Sequence, residues 1–195
     1  MKRLFLTLLI TGAAASPAFA HIDPVAHGSL GAGFAHPLTG ADHLLAMVAV
    51  GLWAWLIGGR ALWAVPAAFV AAMSVGFLGA IGGFGLPFVE PVIAASVAVI
   101  GLLALAAFQV PVAAGMAVVG FFALFHGYAH GLELGAASGL AFMGGFAAAT
   151  ALLHGAGLAL GLGIGAVAGG RPGRIAARLA GGFAALGGLW LVAGA

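Results

Sequence analysis

Six stretches of about 20 mostly apolar residues, the length that carries a helix across a bilayer, follow one another near 38–57, 62–83, 89–108, 111–131, 137–163 and 175–194. Between them stand residues that end helices: Gly58-Gly59-Arg60, Gly82 through Pro87, Gln109-Val110-Pro111, Gly131 through Gly135, and Gly169 through Arg174. Charged residues make up only 5% of the chain and the mean hydropathy is +1.25. A soluble domain carries about 25% charged residues, so polar groups cannot cover this surface and lipid must take the place of water. The expected fold is all-α, a compact bundle of six transmembrane helices. With no cysteine, disulfide frameworks, thiolate metal sites, cysteine nucleophiles and iron–sulfur clusters are excluded. The pI near 10 rests on six Lys+Arg against four Asp+Glu, too few charges to make a nucleic-acid-binding face.

Met1-Lys2-Arg3 is a positive n-region, Leu4 to Ala15 is apolar, and Ala18-Phe19-Ala20 behind Pro17 has the small-x-small form of a cleavage site. Residues 1–20 therefore read as a cleaved signal peptide, with an uncleaved first helix as the alternative, and 21–195 as a single transmembrane domain. Beyond residue 20 the chain holds four arginines, four acids and all seven histidines, but no lysine. A Walker A loop and a Schiff-base lysine both require one, so no nucleotide is expected, and transport would draw on an ion gradient, the membrane potential or downstream trapping. Placing residue 21 outside a bacterial inner membrane puts Arg60, Arg171 and Arg174 in cytoplasmic loops, with Arg178 at their edge, as the positive-inside rule requires. Trp53, Trp55 and Trp63 are then expected at the inner interface and Trp190 near the outer one. Glycines at four-residue spacing, Gly127/Gly131/Gly135 and Gly161/Gly165/Gly169, read as surfaces for close helix packing.

Ionisable groups in so apolar a chain are costly and mark candidate sites. One group is His36-Pro37-Leu38-Thr39-Gly40-Ala41-Asp42-His43, at the outer end of the first span. Pro37 is expected to push His36 out of helical dihedrals and Gly40 to let the segment bend. A second group runs from Phe125 to Glu133 at the outer end of the fourth span. There His126 and His130 are i,i+4 partners, and Glu133 lies three residues beyond His130 on the same stripe. Glu90 begins the third span on that side, and His154 stands alone, deeper in the fifth. Each has a structural alternative: Asp42 and Glu90 can satisfy helix N-termini, and His154 can bond across helices. Met47, Met73, Met116 and Met143 can be packing residues, and His21 and His27 can be incidental members of a polar leader. Glu133 lies at a helix C-terminus, where the dipole disfavours an anion. Imidazole and carboxylate without thiolate suit Ni²⁺, Co²⁺ or Zn²⁺ better than Cu⁺ or Mg²⁺.

The two histidine motifs resemble those of the HupE/UreJ family of bacterial nickel/cobalt permeases. His36, Asp42 and His43 match its His-x5-Asp-His pattern. Phe125, His126, Gly127, Ala129, His130, Gly131 and Glu133 match its Phe-His-Gly-x-Ala-His-Gly-x-Glu pattern. The resemblance implies uptake of Ni²⁺ or Co²⁺ as transported substrate, with no permanent cofactor and with cytoplasmic nickel chaperones as partners. The expected metal site is His36, Asp42, His43, Glu90, His126, His130 and Glu133, with His154 further along the path. Two other classes compete. One is an intramembrane hydrolase, metal-dependent or serine; the serine form would pair Ser138 with His154, but these lie sixteen positions apart on one expected helix. A metal sensor or chaperone partner would bind without transporting.

Overall fold

The structure, a computed structural model, describes residues 29–134 and 139–194. The signal peptide expected at 1–20, His21, His27, Gly135 and Ser138 lie outside the described residues. Seven helices and no strand occur among the described residues: α1 (Leu30–Thr39), α2 (Ala41–Ile57), α3 (Ala61–Ile81), α4 (Val89–Ala106), α5 (Val112–Leu134), α6 (Gly139–Ala168) and α7 (Gly170–Gly194). Helices α3 to α7 are each long and apolar enough to cross a membrane, and α1 with α2 passes the same test as a pair bent by 84°. The described residues are thus all-helical and carry five candidate membrane spans, or six if the bent pair counts as one, the pattern of a multi-pass membrane protein.

The bend corrects one expectation. His36 and Pro37 both lie inside α1, and the break falls at Gly40, whose backbone is extended (φ −89°, ψ 121°). Pro37 forfeits only its own bond to the Gly33 carbonyl, close to a helix end that has few bonds left to lose. At that end the Thr39 hydroxyl donates to the His36 carbonyl at 2.8 Å, satisfying an acceptor the helix leaves free. A second correction concerns the last break, which shrinks from Gly169–Arg174 to Gly169 alone (φ 57°). Arg171, Pro172 and Arg174 fall in the first turns of α7, where a proline sacrifices no helical bond.

Helix α2 is central, packing on α3, α4, α6 and α7, while α3 lies along α5, α4 along α7, and α1 along α6. That placement explains Trp53, which is fully buried rather than anchored at an interface. Its indole N–H donates to the Phe108 carbonyl at 3.0 Å, and Gln109 Nε2 donates to the Leu56 carbonyl at 2.9 Å, tying the end of α2 to the α4–α5 connection. Trp55 lies against Gly161 and Gly165 of α6, whereas Trp63 and Trp190 are exposed. Met47 and Met73 are fully buried in the core, in keeping with packing. Leucines and phenylalanines cover the outer faces of the bundle, Leu186 and Phe183 among them, as a lipid-facing surface requires.

Glycines make the tight crossings. A Cβ on Gly76 would collide with the Leu124 carbonyl, and one on Gly127 with the Met73 carbonyl, so α3 and α5 touch backbone to backbone. Gly51 meets the His154 carbonyl and Gly157 the Val48 carbonyl between α2 and α6; Gly33 meets the Phe142 carbonyl and Gly145 the Leu30 carbonyl between α1 and α6. Such approach lets van der Waals contact act where lipid removes most of the hydrophobic drive between helices.

Gly127→Leu should abolish accumulation of folded protein, whereas Gly163→Ala, whose new Cβ would meet nothing within 4 Å, should leave abundance and thermal unfolding unchanged. Comparison of membrane abundance and melting of the two variants tests this. Tyr128 Oη accepts the Leu86 N–H at 3.0 Å, holding the connection that leads into Glu90. Tyr128→Phe removes about 1 kcal/mol, and hydrogen exchange at the Leu86 amide should quicken by about fivefold.

Candidate metal centre

The arginines and the histidine cluster sit at opposite ends of the bundle. Arg60 lies in the α2–α3 turn and Arg171, Arg174 and Arg178 begin α7, whereas the α1–α2 bend, the start of α4 and the end of α5 share the other end. Because α2 restarts immediately after Gly40, Asp42 and His43 fall in its first turn, beneath His36 at the end of α1. Gly40 supplies no side-chain cap, and the Asp42 carboxylate turns instead to its neighbour: Oδ1 accepts from His43 Nδ1 at 3.0 Å.

His43 and His130 meet across α2 and α5, Nε2 to Nε2 at 2.7 Å, both buried. In the neutral pair the carboxylate holds the His43 proton on Nδ1. The His43 Nε2 therefore presents its lone pair, and His130 Nε2–H donates into it. A carboxylate behind an imidazole is the arrangement that orients histidine ligands on metals. The His36 ring lies 4.3 Å from that of His130, the His43 and His130 rings are 4.7 Å apart, and His126 lies 5.0 Å from His43. Phe146 closes the far side, 4.7 Å from the His130 ring, and Phe142 lies 5.6 Å from His36.

A cavity of about 260 Å³ opens beside this cluster, lined by His36, Thr39, Asp42, His43, Glu90 and His130 among others. Glu90, exposed in the first turn of α4, also lines it. As they stand, no three His, Asp or Glu side chains among the described residues are arranged as a ready ligand set. The nearest nitrogens, those of His43 and His130, are joined through a proton, and a cation bound there would require His130 to carry its ring proton on Nδ1 instead of Nε2.

The expected residues divide into three groups. His36, Asp42, His43, Glu90 and His130 share the cavity. His126 sits below it, with Nε2 at 2.9 Å from Ser96 Oγ and a buried Nδ1 that has no partner. His154 lies apart: Phe69 stands between it and His126, with ring centroids at 5.0 and 5.7 Å respectively. Both His154 nitrogens are buried without a hydrogen bond, so the alternative of a bond across helices fails for this residue. Glu133 is on α5, three residues past His130, but its side chain lies outside the described residues. Sequence reasoning missed Ser96, Phe69 and Phe146. Only Ser96 carried a signal, as the one hydroxyl in α4.

A family model described as HupE / UreJ protein matches residues 8–191. Protein HupE of Rhizobium leguminosarum bv. viciae is 46% identical over 188 residues, which is 96% of this chain and 96% of that protein. No solved structure matches the chain. With the two histidine motifs at one end of a helical membrane bundle, these matches make the chain a member of the HupE/UreJ family.

Proposed function

We propose that the protein imports Ni²⁺, or Co²⁺, across the bacterial inner membrane, with its amino terminus and the histidine cluster on the periplasmic side. One observation carries this reading: imidazoles from α1, α2 and α5, with Asp42 and Glu90, converge on one cavity in a bundle whose core is mostly apolar. Nitrogen and carboxylate donors suit a borderline divalent cation, and membership in a family whose motifs the chain carries agrees with it. The proposal takes the bent α1–α2 pair as one span, which makes six in all, and places the four arginines on the cytoplasmic side.

In this account the ion is cargo, not a resident cofactor. It enters the cavity between His36, Asp42 and Glu90, loses water in steps, and replaces the hydrogen bond between His43 and His130, whose single ring proton moves from Nε2 to Nδ1, with Glu133 a further ligand. His126 receives it next, then His154 beyond Phe69. Several weak sites in series let an ion leave as readily as it arrives. An inward-negative potential of about 100 mV supplies roughly 4.6 kcal/mol for a dication, so no ATP is needed. Cytoplasmic nickel chaperones are the acceptors this scheme calls for.

Asp42→Asn and His130→Ala should each reduce uptake of radioactive nickel to the level of cells lacking the protein, at unchanged abundance. Normal uptake by both variants would refute a shared site. Acidifying the medium from pH 7 to pH 5 raises the concentration of protons that compete with the cation for imidazole nitrogen. Protonated imidazole cannot ligate a metal, so the apparent KM for nickel should rise steeply at pH 5. An unchanged KM would show that protons do not compete with nickel at the capturing group.

A further inference from the structure

Ser96 is completely buried in α4 and makes two short contacts: its Oγ lies 2.6 Å from the Ile93 carbonyl on its own helix and 2.9 Å from His126 Nε2 on α5. A serine hydroxyl has one proton and can accept at its lone pairs. A carbonyl only accepts, so the proton must go to Ile93. The second contact then has to run the other way, with His126 Nε2–H donating to Ser96 Oγ. Neutral imidazole carries one N–H, so Nδ1 of His126 is left with its lone pair. That atom is buried and has no hydrogen-bond partner.

Back-bonding of serine to a carbonyl one turn earlier is common in helices and accounts for the Ile93 contact alone. It does not account for an oxygen lone pair directed at an imidazole thirty positions away on another helix, nor for an unpartnered nitrogen on the opposite flank of that ring. Buried polar atoms without partners are rare. Among the side-chain atoms of the described residues they are His126 Nδ1 and the two nitrogens of His154. The His126 ring is confined between His43, at 5.0 Å, and Phe69, at 5.7 Å.

We propose that Ser96 is a positioning residue: by committing its proton to Ile93 it fixes the tautomer of His126, so that Nδ1 is the atom offered to a borderline divalent cation leaving the His43–His130 pair. The inference rests on the importer reading for the identity of the ion, but the tautomer itself can be read without any metal. Loss of the Ser96 hydroxyl leaves His126 free to carry its proton on either nitrogen and so to block its own ligating atom. Outer-shell partners of metal-binding histidines contribute about 10- to 100-fold in affinity.

The test uses full-length protein in lipid with ¹⁵N-labelled histidine, His126→Gln serving to assign the His126 signal. In metal-free wild type, His126 should be protonated on Nε2 and bare on Nδ1. Ser96→Ala and the isosteric but weakly bonding Ser96→Cys should show a mixed or reversed tautomer, whereas Ser96→Thr, which keeps the hydroxyl, should match wild type. Titration with Ni²⁺ alone should give dissociation constants raised about 10- to 100-fold in the Ala and Cys variants and restored in Thr. Uptake should show a raised KM at unchanged maximal rate, a split that a general packing defect does not produce. A wild-type His126 protonated on Nδ1 overturns the proposal, as does an Ala variant that binds Ni²⁺ within about twofold of wild type. Failure of the importer reading looks different: wild type would bind no nickel while the tautomer assignment still held, and the ligand role of Nδ1 would fall with it.

Discussion

A main-chain carbonyl resting on a glycine Cα is the contact on which the rest of this molecule depends. In lipid, apolar side chains gain little by leaving one helix face for another, so close van der Waals fit decides which helices pair. The crossings are also where the chemistry sits. Gly127 follows His126 directly and lies on the Met73 carbonyl; Gly51 lies on the carbonyl of His154 itself; Gly33 lies on the carbonyl of Phe142, whose ring faces His36. Replacing any of these glycines would separate backbones and draw the imidazoles apart with them. The family motif that joins histidine to glycine in α5 thus has a mechanical reading beside its chemical one.

The cluster also follows the rule for polar groups in a low-dielectric interior. Asp42 holds His43, His43 holds His130, and Ser96 holds His126, so most of the polar atoms are satisfied within the cluster. Among the described side chains the buried exceptions are His126 Nδ1 and, beyond the cluster, both nitrogens of His154. An unsatisfied buried polar atom costs about 1–3 kcal/mol, a sum that packing alone would avoid by using an apolar side chain of similar size. Those atoms lie progressively further from the cavity, on either side of Phe69, which is the order in which a series of weak stations would be needed.

Much of this arrangement is legible in the sequence. Hydropathy and glycine punctuation locate the long helices, and the i,i+4 spacing of His126 and His130 puts them on one face of α5. The 84° bend is harder to read, because Gly40 announces only permissiveness, while Pro37 points to a break at His36, a full turn too early. The rule against helical residues before proline is overridden so near a helix end. Trp53 misleads for another reason: its depth along α2 suggests an interface, but only tertiary packing reveals that α2 is the central helix with no lipid-facing side there. Ser96 is visible as a lone hydroxyl, yet its partner lies on another helix, and no local pattern specifies that pairing. The Glu133 motif position is equally plain in sequence, though its side chain lies outside the described residues.

The central claim is that imidazoles from separate helices jointly strip water from a divalent cation. X-ray absorption at the nickel edge, on purified protein loaded with one equivalent of Ni²⁺ in lipid, addresses it directly. The account predicts a nitrogen and oxygen shell with the multiple-scattering signature of more than one imidazole, diminished in His43→Ala and in His130→Ala. A spectrum equal to that of hydrated nickel, with no imidazole scattering in the wild-type protein, would contradict it.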